Sequence, residues 1–230
     1  MTSAALAGST GLVGGNILSV LAASPTISAV HAFARRDLPT TSPKLTALKS
    51  ADSAEWPSMY PANTPLFLSA LGTTKAQAGS VANQRKIDFD LNLELAKAAK
   101  NAGATTCVLI STSGANAQSS FAYPRMKGEL EDAVRKLDFE HTVILRPGLI
   151  VGTREDSRPP EYAFRKIAGL FGAISSAWLK DPWAQDADVI AKAAVSAGLQ
   201  CVGGTTDRKV WELTQSEIVK LGRDEWKASM

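Results

Sequence analysis

A glycine-rich turn near the start of the chain constrains the fold more than any other feature. Residues 8–14 read Gly-Ser-Thr-Gly-Leu-Val-Gly and lie between a short apolar strand at residues 4–7 and a helical pattern at residues 12–23. In this setting the first glycine permits a sharp turn, the second lets a phosphate approach the backbone, and the third allows close helix packing. The free amides at the start of the helix then face the phosphates. The turn therefore predicts a dinucleotide-binding α/β fold.

The same segment supplies the first set of predicted cofactor contacts. These residues are Gly8, Ser9, Thr10, Gly11, Leu12 and Gly14. The hydroxyls of Ser9 and Thr10 are expected to add donors to the backbone amides of the turn.

Strand-like runs alternate with helical stretches along the chain, which is typical of a parallel sheet covered by helices. Strands are predicted at residues 4–7, 29–34, 45–48, 66–70, 107–110, 142–145 and 210–213. Helices are predicted at residues 12–23, 87–102, 123–137 and 186–199, with another near 162–171, and loops at 51–63 and 72–79. A capping box at residues 214–217 opens a last helix. We predict one Rossmann-like, doubly wound parallel sheet over residues 1–230, with a small C-terminal substrate-side lobe at 147–205.

Composition excludes several classes of function. A net charge of +3 and a pI near 8.9 are too weakly basic to indicate nucleic-acid binding, but they suit an anionic cofactor. Cys107 and Cys201 are far apart in the sequence and are expected to be reduced thiols. His31 and His141 both lie in apolar runs, so no metal site is expected. The sequence has no run of about 18 apolar residues, so no membrane-spanning helix is predicted. The glycine turn starts so close to Met1 that we expect no cleaved presequence.

The end of the second predicted strand indicates which dinucleotide is bound. Proteins that prefer NADH place an acidic residue about 20 residues after the glycines to bind the ribose 2′-hydroxyl. Here the strand ends with Ala34-Arg35-Arg36. A guanidinium group can hold a 2′-phosphate bidentately and can stack on adenine. The pair predicts NADPH as the cofactor, the alternative being two solvated arginines beyond a strand.

A Tyr-x-x-x-Lys motif begins the helix that follows the fifth strand. Tyr123 and Lys127 are four residues apart and share one face of a helix. A nearby ammonium stabilises a phenolate and lowers the pKa of the phenol, which suits Tyr123 for acid–base catalysis on a carbonyl or alcohol. Pro124 is tolerated in a first helical turn, although it biases Tyr123 away from helical geometry. The alternative is an ordinary tyrosine beside an ordinary lysine.

Two loops at the predicted carboxyl edge of the sheet complete the site. Ser111, Thr112 and Ser113 follow the fifth strand, and one of their hydroxyls is expected to bind the substrate oxygen. Ser113 and Thr112 are favoured over Ser111, and the alternative is a polar loop with local turn bonds. After the fourth strand, Leu71 and Gly72 are expected to line the adenosine or ribose side of the cofactor.

With these motifs in place, the chain resembles the atypical short-chain dehydrogenases. More narrowly, it resembles the Tat-interacting-protein type of oxidoreductase and its fungal mitochondrial-proteome relatives. The resemblance rests on residues 8–14, 33–36, 71–75, 78–79, 111–114, 123–129, 146–148 and 155–159. It implies NADPH held by the residues already named, with Ile150 near the nicotinamide and Arg158 near the mouth of the site. It also implies that relatives act as regulators as well as reductases, and that fungal members associate peripherally with the mitochondrial outer membrane.

One family residue has no clear counterpart in this sequence. Many short-chain dehydrogenases carry an active-site asparagine, and here Asp88 or Asn92 lies in the relevant helix.

The segment 162–179 combines aromatic and apolar residues with two cations. We predict that it forms a lid that covers an apolar substrate pocket, and the alternative is a helix that lies on a membrane surface.

Two functions follow from these observations. The first is an NADPH-dependent carbonyl reductase or alcohol dehydrogenase, in which Tyr123 is the acid or base, Lys127 tunes it, and Ser113 or Thr112 orients the carbonyl. The second is an NADPH-binding regulator or adaptor with little turnover that acts through protein partners. The expected location is the cytosolic face of the mitochondrial outer membrane or the cytoplasm.

Overall fold

The computed structural model describes residues 1–151 and 184–227. The strands are β1 (Thr2–Ala7), β2 (Ile27–Ala34), β3 (Leu45–Lys49), β4 (Leu66–Ser69), β5 (Thr106–Ile110), β6 (His141–Leu145), β7 (Leu149–Val151), β8 (Ala184–Asp186) and β9 (Val210–Leu213). Seven of them form one sheet in the order β3-β2-β1-β4-β5-β6-β9, and every pairing is parallel. Chain order reverses between β1 and β4, which opens a crevice at their carboxyl ends. The predicted Rossmann-like fold is confirmed.

Seven α-helices accompany the strands in the described residues. They are α1 (Leu12–Ala23), α2 (Lys75–Ala78), α3 (Val81–Arg85), α4 (Asn92–Asn101), α5 (Ala122–Arg135), α6 (Ala187–Val202) and α7 (Gln215–Val219). A 3₁₀ helix spans Ser53–Met59, and π-helical turns span Lys86–Leu91 and Lys220–Asp224. None of the helices within residues 1–151 and 184–227 is both long and apolar enough to cross a bilayer.

The sheet is buried on both faces because successive side chains of a strand point in opposite directions. On β1, Ala4 and Leu6 join the core that packs against α1 and α6. Ala5 and Ala7 join the opposite core, which packs against α4 and α5. All four are completely buried. The near-continuous apolar strands therefore follow from helices covering both faces.

Helix α6 is a layer of the main domain. The sequence assigns residues 147–205 to a substrate-side lobe, but Ala187–Val202 packs against α1 and the central sheet with ten buried residues. The smallness of its side chains explains this, since at Gly198 an added Cβ would lie 2.9 Å from a methyl of Leu66. The proposed lid at 162–179 and the helix near 162–171 lie outside the described residues.

Two intervals predicted as loops contain short helices. The interval 51–63 holds the 3₁₀ helix Ser53–Met59, whose Trp56 is buried and stacks on Phe33. The interval 72–79 holds α2, which begins where the Thr74 side chain accepts a hydrogen bond from the backbone of Gln77. A single capping side chain can start a helical turn that is too short to show periodicity.

The predicted helix at residues 87–102 starts earlier than its apolar pattern indicates. Ser80 caps α3, and the chain continues through the π-helical turn Lys86–Leu91 into α4. A π-helical turn inserts one residue into the helical repeat and so changes which residues share a face. The change in period explains why the pattern before Ile87 was not recognised as helical.

Backbone contacts at Gly8 join the first turn to its neighbours. Gly8 has a φ of 88°, and a Cβ added there would lie 2.6 Å from the carbonyl carbon of Ala70, just after β4. A Cβ on Gly14 would lie 2.0 Å from the carbonyl oxygen of Gly8. Helix α1 thus packs directly against the turn, and the turn packs against the backbone just after β4.

Replacing Gly14 by alanine tests this contact. We expect Gly14→Ala to lower the free energy of unfolding by about 1–3 kcal/mol, because the new methyl group overlaps the Gly8 carbonyl. Gly15→Ala is the matched control, since a Cβ there meets only the Ser9 carbonyl oxygen at 3.6 Å, which is an ordinary contact. Urea denaturation measures both, and equal midpoints for the two variants would contradict the packing described.

Candidate active site

The predicted site residues converge at the carboxyl edge of the central sheet. Strands β2, β1, β4 and β5 are consecutive neighbours and run parallel. The glycine turn follows β1, Arg35 follows β2, Leu71 follows β4 and Ser111 follows β5. Parallel strands end at the same edge, so these four segments lie side by side around the crevice.

The glycine turn offers backbone amides for an anion. Helix α1 begins after Gly11, which has no side chain to cap the helix, and its first turn carries no acidic residue. By contrast, Thr74 and Ser80 each cap their helices with a side-chain oxygen. The first amides of α1 therefore lack side-chain caps and suit a phosphate ligand.

The role expected for the Ser9 hydroxyl is corrected by the structure. Ser9 is completely buried, and its hydroxyl donates a hydrogen bond to the carbonyl oxygen of Phe33 at 3.0 Å. That bond ties the turn to the end of β2, so the hydroxyl is not an additional donor to phosphate. Thr10 is half-buried at the turn, and the role of its hydroxyl as a donor stays a prediction.

The end of β2 presents a cluster of charged side chains. Arg35 and Arg36 are exposed immediately after the strand. Asp37 follows them, and its carboxylate pairs with Lys49 at 2.7 Å. No sequence motif indicated Lys49, which the parallel register brings opposite Ala34. The ion pair directs the one carboxylate of this segment toward β3.

The loop after β4 is held by side chains from the helix that follows it. The backbone amide of Thr73 donates to the carboxylate of Asp88 at 2.7 Å, and the Gln84 amide group donates to the Thr73 carbonyl oxygen at 2.9 Å. Gly72 is exposed beside them, and the space where its Cβ would lie has no atom within 4 Å. Leu71 and Gly72 thus border the crevice, and their contact with the cofactor stays a prediction.

Tyr123 lies in the first turn of α5, which begins at Ala122 despite Pro124. Its side chain is 43% exposed. Partial burial and the negative charge of Asp88 raise the pKa of Tyr123, and hydrogen bonding from the Thr112 side chain lowers it. The phenol is therefore protonated at neutral pH and has a hydroxyl beside it. The expectation that Lys127 lowers the pKa of Tyr123 is wrong: burial, the largest effect, raises this pKa, and the group that lowers it is Thr112.

The structure distinguishes the three hydroxyls that follow β5. Ser111 is buried, and its hydroxyl donates to the carboxylate of Glu131. Ser113 is exposed, with its backbone amide bound to the Pro147 carbonyl oxygen at 2.7 Å. Thr112 is the residue whose side chain interacts with Tyr123. Thr112 is therefore the hydroxyl best placed to share a substrate oxygen with the phenol.

Lys127 is buried one turn further along the same face of α5. It is 3% exposed, and its ammonium donates to the carbonyl oxygen of Ile110 at 2.9 Å. Burial lowers the pKa of Lys127, while the carboxylates of Asp88 and Glu131 oppose that effect. A cation in this environment needs a compensating negative charge nearby.

A buried ion network lies behind Lys127. Glu131 is 1% exposed and accepts hydrogen bonds from both Arg135 and Arg146. The two arginines also pair with Glu212 on β9. Together with the bond to Ser111, the network connects α5 to the ends of β5 and β6. No sequence motif indicated it, because its members come from four separate segments.

Asp88 and Asn92, the two positions considered for the family asparagine, have different surroundings. Both are 1% exposed. The Asn92 amide donates to the carbonyl oxygens of Ile87 and Asp88, and its oxygen accepts from Ser69. Asn92 thereby stabilises the π-helical turn. The Asp88 carboxylate accepts a hydrogen bond from the Thr73 amide, and burial raises its pKa while that hydrogen bond and the charge of Lys127 lower it.

The remaining predicted positions lie near β7. Ile150 is half-buried in β7, which is anchored where the Gly148 amide donates to the buried side chain of Gln185 at 3.3 Å. Arg158 lies outside the described residues. Cys107 and Cys201 are free and buried, and residues 1–151 and 184–227 contain no group of His, Cys, Asp and Glu side chains arranged for a metal ion.

Comparison with known proteins identifies relatives over the full chain. The model of the family described as HIM1 matches residues 51–171. "Protein fmp52, mitochondrial" of Aspergillus clavatus is 53% identical, covering 96% of this chain and 99% of the relative. "Protein fmp-52, mitochondrial" of Neurospora crassa is 47% identical, covering 98% of this chain and 97% of the relative. The expected fungal mitochondrial-proteome relationship is confirmed, and the Tat-interacting-protein type stays an expectation.

Solved structures share the fold at low sequence identity. MoeE5 in complex with UDP-glucose and NAD superposes with a TM-score of 0.68 at 17% identity, covering 97% of this chain and 81% of MoeE5. A short chain dehydrogenase family protein from Francisella tularensis has a TM-score of 0.65 at 12% identity, covering 94% and 98% of the two chains. These similarities establish the fold.

Removing the Thr112 hydroxyl tests the contact at the phenol. We expect Thr112→Val to raise the pKa of Tyr123, because the hydroxyl that stabilises the phenolate is lost. Ultraviolet tyrosinate titration measures this as the difference between each protein and its Tyr123→Phe counterpart. Ser113→Ala is the control and should leave the titration midpoint of Tyr123 unchanged. A shift in Ser113→Ala with none in Thr112→Val would show that Ser113, and not Thr112, contacts the phenol.

Proposed function

The chain belongs to the HIM1 family and to the Fmp52 proteins, and on that premise we propose that it is an NADPH-dependent oxidoreductase. It reduces a carbonyl group, or oxidises the corresponding alcohol, by hydride transfer. The observation that carries the proposal is the pair formed by the exposed phenol of Tyr123 and the buried ammonium of Lys127 at the carboxyl edge of the sheet. Such a pair supplies proton transfer and charge stabilisation in one place.

The crevice fits a dinucleotide on structural grounds. The first turn of α1 lacks a side-chain cap and an acidic residue. Gly72 is open to solvent across the crevice, in the loop that follows the neighbouring strand β4. Backbone amides that no side chain covers, beside a glycine that leaves space, suit a pyrophosphate and the ribose next to it.

The choice of NADPH over NADH rests on the residues after β2. MoeE5 is described in complex with NAD, which supports a nicotinamide dinucleotide as the class of cofactor. In this chain Arg35 and Arg36 are exposed at that position, and Asp37 is paired with Lys49. Two guanidinium groups suit a 2′-phosphate, and the ion pair with Lys49 offsets the negative charge of Asp37 beside them.

Tyr123 acts as the proton donor in this proposal. Because its pKa is raised, the phenol holds its proton at neutral pH and can transfer it to a carbonyl oxygen. The bound nicotinamide supplies the hydride. Thr112 donates a hydrogen bond at the same oxygen and stabilises the charge that develops there.

Lys127 stabilises the phenolate that remains after proton transfer. Its ammonium is held by the Ile110 carbonyl oxygen at the end of β5 and lies on the face of α5 that carries Tyr123. The family resemblance adds a contact between Lys127 and the nicotinamide ribose.

The alternative function is an NADPH-binding regulator with little turnover. The relatives are named mitochondrial, and we extend that location to this chain, with the cytosolic face of the outer membrane as the finer proposal. A regulator needs the dinucleotide cradle but not the Tyr123–Lys127 pair. The two functions therefore differ in what happens when Tyr123 is replaced.

Removing the arginines tests the identity of the cofactor. We expect Arg35→Ala/Arg36→Ala to weaken NADPH binding by about ten- to a hundredfold, because charge-assisted hydrogen bonds to the 2′-phosphate are lost. NADH binding should change little. Nicotinamide fluorescence titration measures both affinities, and Lys97→Ala, an exposed cation on α4, is the control. Equal losses for NADPH and NADH would contradict the assignment of the 2′-phosphate site.

Replacing the phenol tests the reaction. A panel of aldehydes and ketones is assayed by NADPH oxidation with the wild type and with Tyr123→Phe. We expect kcat/KM to fall by about a hundredfold or more while NADPH affinity is retained, because only the proton donor is lost. Turnover that survives in Tyr123→Phe would reject the mechanism. NADPH binding without turnover of any substrate would favour the regulator.

A further inference from the structure

The loop that joins β5 to α5 folds back onto the first turns of that helix. The Asn116 amide donates to the carbonyl oxygen of Pro124 at 3.0 Å, next to Tyr123 in the first turn of α5. Gly128 lets the two segments touch, because a Cβ added there would lie 2.2 Å from the Ala117 amide nitrogen. The later part of the loop is therefore fixed on the helix that carries the phenol.

The start of the same loop is held along the sheet by hydrogen bonds on both sides of Thr112. The Ser111 amide donates to the Leu145 carbonyl oxygen, at the end of β6, at 2.8 Å. The Ser113 amide donates to the Pro147 carbonyl oxygen at 2.7 Å. Both bonds continue the pairing between the neighbouring strands, and neither of them reaches α5.

Two side chains of α5 reach the chain at the exit of β5. Lys127 donates to the carbonyl oxygen of Ile110, the last residue of β5, at 2.9 Å. The carboxylate of Glu131 accepts from the Ser111 hydroxyl, which is the first side chain of the loop. Ser111 is 4% exposed and Glu131 is 1% exposed, so solvent does not compete for this bond. Of the two contacts, the one between Ser111 and Glu131 therefore holds the loop itself.

The charge of Glu131 is balanced without Ser111. Arg146 binds both oxygens of the carboxylate, and Arg135 donates to one of them at 3.2 Å. Both arginines also pair with Glu212 on β9. Charge-assisted bonds of this kind fix the geometry of a carboxylate. The Ser111 hydroxyl adds a neutral donor and no counter-charge, so its bond acts on the position of the loop.

We propose that Ser111 and Glu131 are positioning residues for the proposed reaction. The hydrogen bond between them holds the start of the loop at the distance from α5 at which the Thr112 hydroxyl meets the phenol of Tyr123. The Ser111 hydroxyl thus binds the protein, and the hydroxyl of its neighbour is left for a substrate. The proposal rests on the proposed function for its significance, while the contact itself concerns only residues of this chain.

Removing the Ser111 hydroxyl tests the positioning. We expect Ser111→Ala to raise the tyrosinate midpoint of Tyr123 by about 0.5 to 1 pH unit, because a displaced loop weakens the hydrogen bond from Thr112. In a Thr112→Val background the same substitution should add no further shift, since the contact that it positions is already absent. Each midpoint is measured by ultraviolet titration against the matching Tyr123→Phe protein.

Ser24→Ala is the matched control for the loss of a buried hydroxyl. The Ser24 side chain is likewise buried and is hydrogen-bonded to that of Thr26, but it lies between α1 and β2, at the amino edge of the sheet. Both substitutions are expected to lower the free energy of unfolding, and only Ser111→Ala should move the Tyr123 midpoint. An unchanged midpoint in Ser111→Ala, or the same shift with and without the Thr112 hydroxyl, would overturn the proposal.

Ser111→Cys covers the case in which Ser111→Ala does not fold. A thiol fills the space of the hydroxyl but is a weak hydrogen-bond donor. We therefore expect the Tyr123 midpoint to rise in this variant as well. A midpoint equal to that of the wild type would reject the positioning role of Ser111.

Turnover assays separate this proposal from the proposed function. In Ser111→Ala we expect kcat for carbonyl reduction to fall by about tenfold while NADPH affinity is retained, because the hydroxyl that orients the substrate oxygen is displaced. An unchanged kcat would contradict the positioning role. The titrations need neither cofactor nor substrate, so a wild type without turnover would reject the proposed reaction and leave the titrations to decide the contact.

Discussion

The close packing of backbone at Gly8 is the contact on which the site depends. The carbonyl group of Gly8 lies against Gly14 of α1, and its Cα lies against the backbone that follows β4. No side chain fits between these segments. The contact therefore holds the start of α1, the exit of β1 and the exit of β4 together, and it leaves the amides of the first helical turn facing the crevice where chain order reverses.

The inner face of α5 provides the charged half of the site. Tyr123, Lys127, Glu131 and Arg135 recur every four residues and so lie along one side of the helix. Tyr123 is neutral, and the other three carry alternating charges that bind groups from other segments. Lys127 donates to the Ile110 carbonyl oxygen, Glu131 accepts from Arg146 and Ser111, and Arg135 pairs with Glu212. Charges buried in this way are stable only as a set, which makes the helix and the ends of β5 and β6 interdependent.

Much of the architecture could be predicted from the sequence, because strand and helix periods are local signals. The central strands, α1, α5 and the capping box at Thr214 were all predicted close to their observed bounds. The errors fall where a local signal is short or has a different period. The helix α2 rests on one cap at Thr74, and the π-helical turn at Lys86 interrupts the repeat. The packing of α6 on the core was missed because small residues give a weak apolar pattern.

The sequence alone determined which chemical groups are available: the glycine turn, the two arginines after β2, the Tyr123–Lys127 spacing and three adjacent hydroxyls. Only the tertiary structure decided how those groups are used. The hydroxyl of Ser9 donates to the Phe33 carbonyl oxygen, that of Ser111 donates to the Glu131 carboxylate, and the Thr112 side chain forms a hydrogen bond with Tyr123. Tertiary folding also brought the Asp88 carboxylate to the backbone amide of Thr73. The physical reason is that hydrogen bonds and buried charges depend on distance in space, which motif spacing within one segment does not specify.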